Sequence, residues 1–397
     1  MNRQQLIESV KQFTKSNHEK VVSWRRHIHQ NPELSFSEFE TTLYIEQQLQ
    51  AIGVTNIKRI TETGLVALID GPHSSGEAIA LRADIDALPI FEANDISYCS
   101  KNNGVMHACG HDCHAASLLG AANVIWNHRN LLKRPVKLIF QPGEEKMPGG
   151  ASKMIEKGVL TNPKVSDIVG QHVFPALKTG QIGLRSGMYM ASCDEIYITV
   201  TGKGGHGALP NAVIDPILIS SHIVIALQQL VSRRAVPGNP TVLSIGKIEG
   251  LGATNVIPNE VKMEGTFRAM NETWRKQAHQ ELTQMVIQMA QSMGASAEVN
   301  IVKGYPFLQN HPELTLFIHQ LASEYVGPEN VIDLDIWMGA EDFSYYSQEV
   351  PACFYRFGTN NPTNEYSSPV HTTTFNIDES ALLTSVGFMA YTALARD

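Results

Sequence analysis

Apolar residues recur every three or four positions through the first thirty residues, at Ile7, Val10 and Phe13 and again at Val21, Trp24 and Ile28. That spacing predicts a helix over 4–30, ended by Pro32, which disfavours helical backbone in the residue before it. A second amphipathic helix is expected over 41–52, stopped by Gly53. The rhythm then shortens. Runs at 64–69, 78–89 and 134–141 are mostly apolar and bounded by Gly, Pro or charge, so they read as strands. An apolar helix over 115–132 separates the last two, and a short helix at 154–159 and a strand at 166–170 follow. Alternating strands and helices point to an α/β domain.

From about Met188 the pattern changes. Strand 193–201, helix 214–232, strands 241–249 and 260–268, helix 272–293 and strand 295–302 give a βαββαβ order, about the size of a small independent unit. Helix 312–325, strand 353–357 and helix 378–395 then resume the earlier style. The expected organisation is a discontinuous domain, 1–187 with 305–397, interrupted by a domain at 188–304.

Composition narrows the function more than the fold. The 397 residues are 43% apolar and 18% charged, which is ordinary for globular chains. The 31 basic and 39 acidic residues give a net charge of −8 with no basic run, which argues against nucleic acid or an anionic membrane as partner and favours a small molecule. The N-terminal segment lacks an apolar signal core and no stretch reaches membrane-span length. Five scattered cysteines suit a reducing compartment better than a disulfide framework, so a cytoplasmic protein is expected.

The densest chemistry lies in His107-Ala-Cys-Gly-His-Asp-Cys-His114. Cys109 and His111 stand two apart, on one side of an extended or loop backbone, and a thiolate with an imidazole can hold a borderline divalent metal. A buried thiol beside a surface imidazole is the plainer alternative. Asp112 or Cys113 occupies the position expected of a helix cap, so Asp112 reads as a cap or as a participant. His27 and His29, on different faces of a helix, read as packing or hydrogen-bonding residues.

Other candidates follow strand ends. Asp84 and Asp86 leave strand 78–89 on one face, where open α/β sheets gather ligands, although an Asp-rich turn has the same composition. Strand 134–141 runs into Pro142-Gly143-Glu144-Glu145. Adjacent carboxylates diverge, so one can bind metal while the other carries a proton. Strand 166–170 delivers His172. In the 188–304 region, the glycine loop around His206 is also a plausible hairpin, Arg268 also a surface charge, and Asn255 lies in Thr254-Asn-Val-Ile-Pro258. His371 alone reads as a surface or hydrogen-bonded histidine.

Taken together, RRHIHQNPE, LRADIDALP, MHACGHDCH, QPGEE, GKGGHGALP, TNVIP and GAEDFS, in that order from about residue 20 onward, resemble the metal-dependent aminoacylase and carboxypeptidase family. They are most similar to its branch of hippurate hydrolases, auxin-conjugate hydrolases and N-acetyl-amino-acid deacetylases. The resemblance implies an α/β catalytic domain with a mixed sheet flanked by helices and two divalent ions (zinc or manganese, with cobalt or nickel possible). It also implies an inserted ferredoxin-like lid that forms a homodimer or higher oligomer. Carried over residue by residue, Cys109 corresponds to the ligand bridging both ions, Glu145 and His371 to the remaining ligands of one, and His111 and His172 to those of the other. Glu144 corresponds to the general base and Asp86 to a group orienting a ligating imidazole. His206 matches an oxyanion donor reaching the partner subunit's site, and Asn255, Arg268 and the Gly339 backbone match the groups that hold a substrate carboxylate. The implied reaction is hydrolysis of N-acyl amino acids, with dipeptidase or carboxypeptidase activity as the alternative and a degenerate metal-binding protein as a third reading. Carboxypeptidase members carry aspartate as the bridge and histidine at the position of Asp84, so Cys109 and Asp84 follow the amidohydrolase branch.

Overall fold

In the computed structural model of the chain, which describes residues 1–361 and 368–396, the apolar runs form a mixed eight-stranded sheet. Its strands are Ile57–Arg59, Leu65–Ile69, Val136–Gln141, Ala78–Asp84, Val165–Lys178, Ala352–Asn360, Ile182–Leu184 and Val331–Asp333, side by side in that order. The four in the middle, from Val136–Gln141 to Ala352–Asn360, run parallel, while Leu65–Ile69 and Ile182–Leu184 join them antiparallel. Val136–Gln141 and Ala78–Asp84 are buried at every residue, as central parallel strands must be when both faces are covered. Helices His111–Asn127 and Ala381–Leu394 supply part of the cover, and Leu118, Leu119, Ala122, Val386 and Met389 share one core with Leu81 and Leu138.

This sheet belongs to the larger of two compact units, Met1–Gly187 with Gln309–Asp335 and Asp342–Asp397; the smaller unit is Met188–Leu308 with Ile336–Glu341. The smaller unit carries an antiparallel sheet in the order Thr241–Glu249, Glu260–Ala269, Asp194–Thr201, Ser296–Lys303. Ile196, Ile198 and Val200 alternate inward from Asp194–Thr201 and pack in one core with Ile223 and Leu227 of helix Pro216–Gln229 and Leu282 and Val286 of helix Glu272–Ser292. Its element order is the expected βαββαβ.

Several boundaries depart from the periodicity. The first helix is two, Arg3–Ser16 and His18–Gln30, broken where Asn17 turns its side-chain amide back to the Phe13 carbonyl at 2.9 Å; both helices bury their apolar residues, so the spacing does not mark the break. The strand expected to end at 170 continues to Lys178, so His172 lies inside it. The strand expected to reach Pro89 stops at Asp84, and the helix expected from 115 begins at His111. The short helix expected at 154–159 is Gly150–Glu156, starting among glycines that read as breakers.

Candidate metal centre

Parallel register places Asp84 opposite Gln141, so the chain leaves two neighbouring strands at the same level, and Asp86 and Glu145 meet just beyond. Asp86 Oδ2 accepts the Glu145 backbone N–H at 3.0 Å and the Ser35 hydroxyl at 2.7 Å. His111 Nδ1 lies 2.9 Å from the Asp86 carbonyl oxygen and 3.2 Å from Asp86 Oδ1. Both are acceptors, so Nδ1 carries the proton and the Nε2 lone pair is turned the other way. That Nε2 atom is buried and has no hydrogen-bond partner among the described residues.

Gly110 caps the helix that starts with His111 and has φ 80°, a conformation that favours glycine. A Cβ there would also stand 2.6 Å from the Val173 side chain. The turn presents the Cys109 Sγ atom, 3.4 Å from His172 Nε2 and 3.2 Å from His371 Nε2. His371 Nε2 is in turn 3.2 Å from Glu145 Oε1, and His111 Nε2 is 4.0 Å from both Glu145 Oε1 and Glu144 Oε2. The structure therefore brings together two donor triads that share the thiol, Cys109–His111–His172 and Cys109–Glu145–His371, and beside them the groups Asp84–His111–His114 and His111–Glu144–Glu145. His371 adopts φ 63°, rare for a non-glycine residue and characteristic of functional sites. Its backbone N–H is held by the Ala108 carbonyl at 2.7 Å.

The electrostatics of this cluster call for positive charge. Burial opposes protonation of His111, yet Asp84 and then Asp86 outweigh it and push the imidazole up to about 10. Burial, reinforced by Glu145, Glu144 and Asp84, pushes the Cys109 thiol well above its ordinary range. His172 behaves oppositely: burial, then Arg356 and His114, hold it well below the usual imidazole value. It is neutral, with Nδ1 donating to the Val173 carbonyl at 2.8 Å and the Nε2 lone pair facing Cys109. A divalent cation resolves these conflicts together, because it displaces the His111 proton, stabilises a thiolate and offsets the carboxylates. The orphaned His111 Nε2 and the mixed thiolate, imidazole and carboxylate donors thus fit a divalent metal.

His114, which the sequence reading leaves without a role, is a brace rather than a donor. Its Nδ1 bonds Asp84 Oδ1 at 2.5 Å and its Nε2 accepts the Val173 N–H at 2.9 Å, so both ring nitrogens are engaged. Three residues after His111 on one helix, it follows the spacing of neighbours on a helical face. Asp112 is not the cap. It lies one residue into the helix, fully buried, and accepts from Arg25 Nε at 2.7 Å and His29 Nδ1 at 2.8 Å. Burial opposes a charge on His29, but Asp112 and Glu92 prevail and raise its pKa. His27 stacks on Tyr44 with ring centroids 3.8 Å apart.

The remaining candidates lie on the smaller unit. His206 and Val256 pair across a two-stranded ladder, and the Gly207 N–H donates to the Asn255 carbonyl at 2.8 Å, so His206 and Asn255 are neighbours. Both are exposed. Arg268 is half-buried near the end of Glu260–Ala269, and the Gly339 carbonyl accepts the Ala191 N–H at 3.0 Å.

The sequence pattern of peptidase family M20/M25/M40 matches residues 80–395. N-acetyl-L-cysteine deacetylase of Bacillus subtilis is 39% identical over 93% of this chain and 86% of its own length. Thermostable carboxypeptidase 2 of Saccharolobus solfataricus is 36% identical over 98% of each. Among solved structures, the Bacillus subtilis YxeP protein, described as a dinuclear metal-binding peptidase of the M20 family, superposes with a TM-score of 0.83 at 34% identity, covering 96% of this chain and 98% of the other.

Proposed function

The chain belongs to peptidase family M20/M25/M40, and on that premise we propose that it hydrolyses the amide bond of N-acyl amino acids, releasing a carboxylic acid and a free amino acid. The observation that carries this reading is the pair of donor triads sharing Cys109, with Glu144 beside them and outside both. In the proposed site Cys109 would be shared by two divalent ions, with His111 and His172 able to hold one and Glu145 and His371 the other. Zinc or manganese is the expected metal, with cobalt or nickel also compatible with these donors. A bound divalent cation supplies Lewis acidity toward a carbonyl and acidifies water from a pKa of 15.7 to about 7.

The protein groups divide the remaining work. Glu144 takes a proton from the attacking water onto a carboxylate oxygen and returns it to the departing amine nitrogen, a contribution of about 10² to 10⁴. Asp86 keeps the proton on His111 Nδ1 and so keeps Nε2 free to bind metal. His206, supplied by a second copy, donates to the developing oxyanion, worth about 3 kcal/mol for a comparable donor. Arg268, with Asn255 and the Gly339 backbone, grips the substrate carboxylate; a guanidinium does so with two parallel hydrogen bonds.

Acetyl, benzoyl and indole-acetyl amino acids should be cleaved by the metal-loaded protein in preference to dipeptides. Arg268→Ala should raise KM for substrates with a free carboxylate by about 10- to 100-fold, as loss of a charged hydrogen bond predicts, and spare neutral amides. Dipeptides cleaved faster than every acyl amino acid would favour the carboxypeptidase reading, which the Saccharolobus relative supports. Equal loss on neutral amides would remove the carboxylate clamp.

We also propose a homodimer formed through the smaller unit. The helix Pro216–Gln229 leaves Leu218 52% and Ile225 71% exposed, and Thr241–Glu249 is an edge strand, which together suit a second copy. Light scattering should give twice the chain mass; a fully active monomer would contradict both the dimer and the role of His206. Five free thiols support a cytoplasmic location, which cell fractionation tests, and among the described residues no helix is long and apolar enough to cross a membrane.

A further inference from the structure

Glu144 sits between two backbone N–H groups, each held by a different buried carboxylate. On one side the Gly143 N–H donates to Glu38 Oε1 at 2.8 Å; on the other the Glu145 N–H donates to Asp86 Oδ2 at 3.0 Å. Glu38 is fully buried, and it reaches Gly143 from 105 residues away, at the start of helix Phe39–Ile52.

The segment around Glu38 is shaped for this grip. Glu38 Oε1 also accepts the Phe36 N–H at 2.9 Å, and Phe36 adopts φ 67°, uncommon for an aromatic residue. The Phe36 ring covers Gly143, which has φ 59° and where any Cβ would overlap the ring; Lys153 Nζ lies 3.6 Å from the centroid of that ring. Ser35 donates to Asp86, so residues 35–38 touch both anchors. Burial, then the Asp86 carboxylate, push Glu38 up to about 7. A raised carboxylate pKa means that ionising Glu38 costs the fold stability as pH rises through neutrality.

We infer that Glu38 is a positioning residue for Glu144, fixing through the Gly143 N–H the backbone from which the proposed base projects. This rests on the reading of Glu144 as the base. Displacing a reacting group by about 1 Å can cost about 10²-fold in rate, and without Glu38 the Gly143 N–H loses its acceptor, leaving on that side the Gly150 N–H bond to the Gly143 carbonyl at 3.0 Å, while the Glu145 side keeps Asp86.

A double-mutant cycle on the full-length, metal-loaded protein tests the inference, using wild type, Glu38→Ala, Glu144→Gln and the double variant with one acetyl-amino acid. Glu38→Ala should lower kcat by about 10- to 100-fold with KM little changed. Glu38→Gln, which keeps an acceptor oxygen, should restore most of that loss. In the Glu144→Gln background Glu38→Ala should have no further effect, since it acts through the missing base. Hydrogen exchange on the metal-free protein gives a reading independent of turnover: Glu38→Ala should speed exchange of the Gly143 amide and leave the Glu145 amide protected. Wild-type kcat in Glu38→Ala alongside an inactive Glu144→Gln would overturn the inference, as would losses that multiply in the double variant. Full turnover by Glu144→Gln alone would instead sink the base assignment, an outcome separate from any behaviour of Glu38. Should Glu38→Ala fail to fold, Glu38→Asp, one methylene too short for Gly143, runs the same cycle with the same expectations.

Discussion

Glu144→Gln is expected to keep its metal and its KM and to lose about 10²- to 10⁴-fold in kcat. The substitution preserves shape and hydrogen-bonding reach but removes the ability to accept a proton. The neighbouring Glu145 is poorly placed to substitute, because its N–H is tied to Asp86 and its Oε1 stands 3.2 Å from His371 Nε2. Glu144 Oε2, at 4.0 Å from His111 Nε2, is next to the donor triads without being part of either shared-thiol set. Steady-state kinetics and metal analysis on the same preparation make the check, since a loss of kcat with metal retained is the signature of a missing proton carrier. A variant that keeps more than about a tenth of wild-type kcat would take Glu144 out of that role.

Much of this arrangement is legible in the sequence because its residues are chemically conspicuous. Cys109 and His111 two apart, and a Glu pair two residues past a strand end, are residue types that metal binding and proton transfer need, although the thiol and imidazole alone also read as a buried thiol beside a surface histidine, and the βαββαβ order of the smaller unit follows from plain periodicity. What escapes is set by geometry that no local pattern records. Gly110 starts the helix in a left-handed conformation, so His111 begins a helix where a loop is expected, and Asp112 faces Arg25 and His29 instead of capping. His172 is followed three residues on by Pro175, which looks like a strand's end although the strand runs on to Lys178. The three-residue strands Ile57–Arg59 and Val331–Asp333 are too short to show a period. Glu38 falls before the helix expected over 41–52 with no local pattern to mark it, and only the folded chain reveals that it grips Gly143.

Replacing the shared thiol should have the largest effect on the site itself. In Cys109→Ala the pairs His111–His172 and Glu145–His371 would each be left with two protein donors and no common one. Losing a group that merely supports a ligand costs about 10- to 100-fold in metal affinity, so losing a ligand common to both positions should cost more at each. The Asp84, Asp86, Glu144 and Glu145 carboxylates would remain clustered with less cation to balance them, and the site should return to a protonated His111. Residual turnover should therefore fall below that of Glu144→Gln, with the fold retained because Cys109 lies in a turn and not in the sheet.

The direct measurement is the metal-to-chain ratio of the folded full-length protein by elemental analysis, wild type beside Cys109→Ala after equilibration at the same free metal concentration. Two divalent ions per wild-type chain, and a substoichiometric remainder in the variant, are the predicted result. A wild-type chain that never takes up more than one ion, or a Cys109→Ala chain that holds as much metal as wild type, would contradict a shared thiolate.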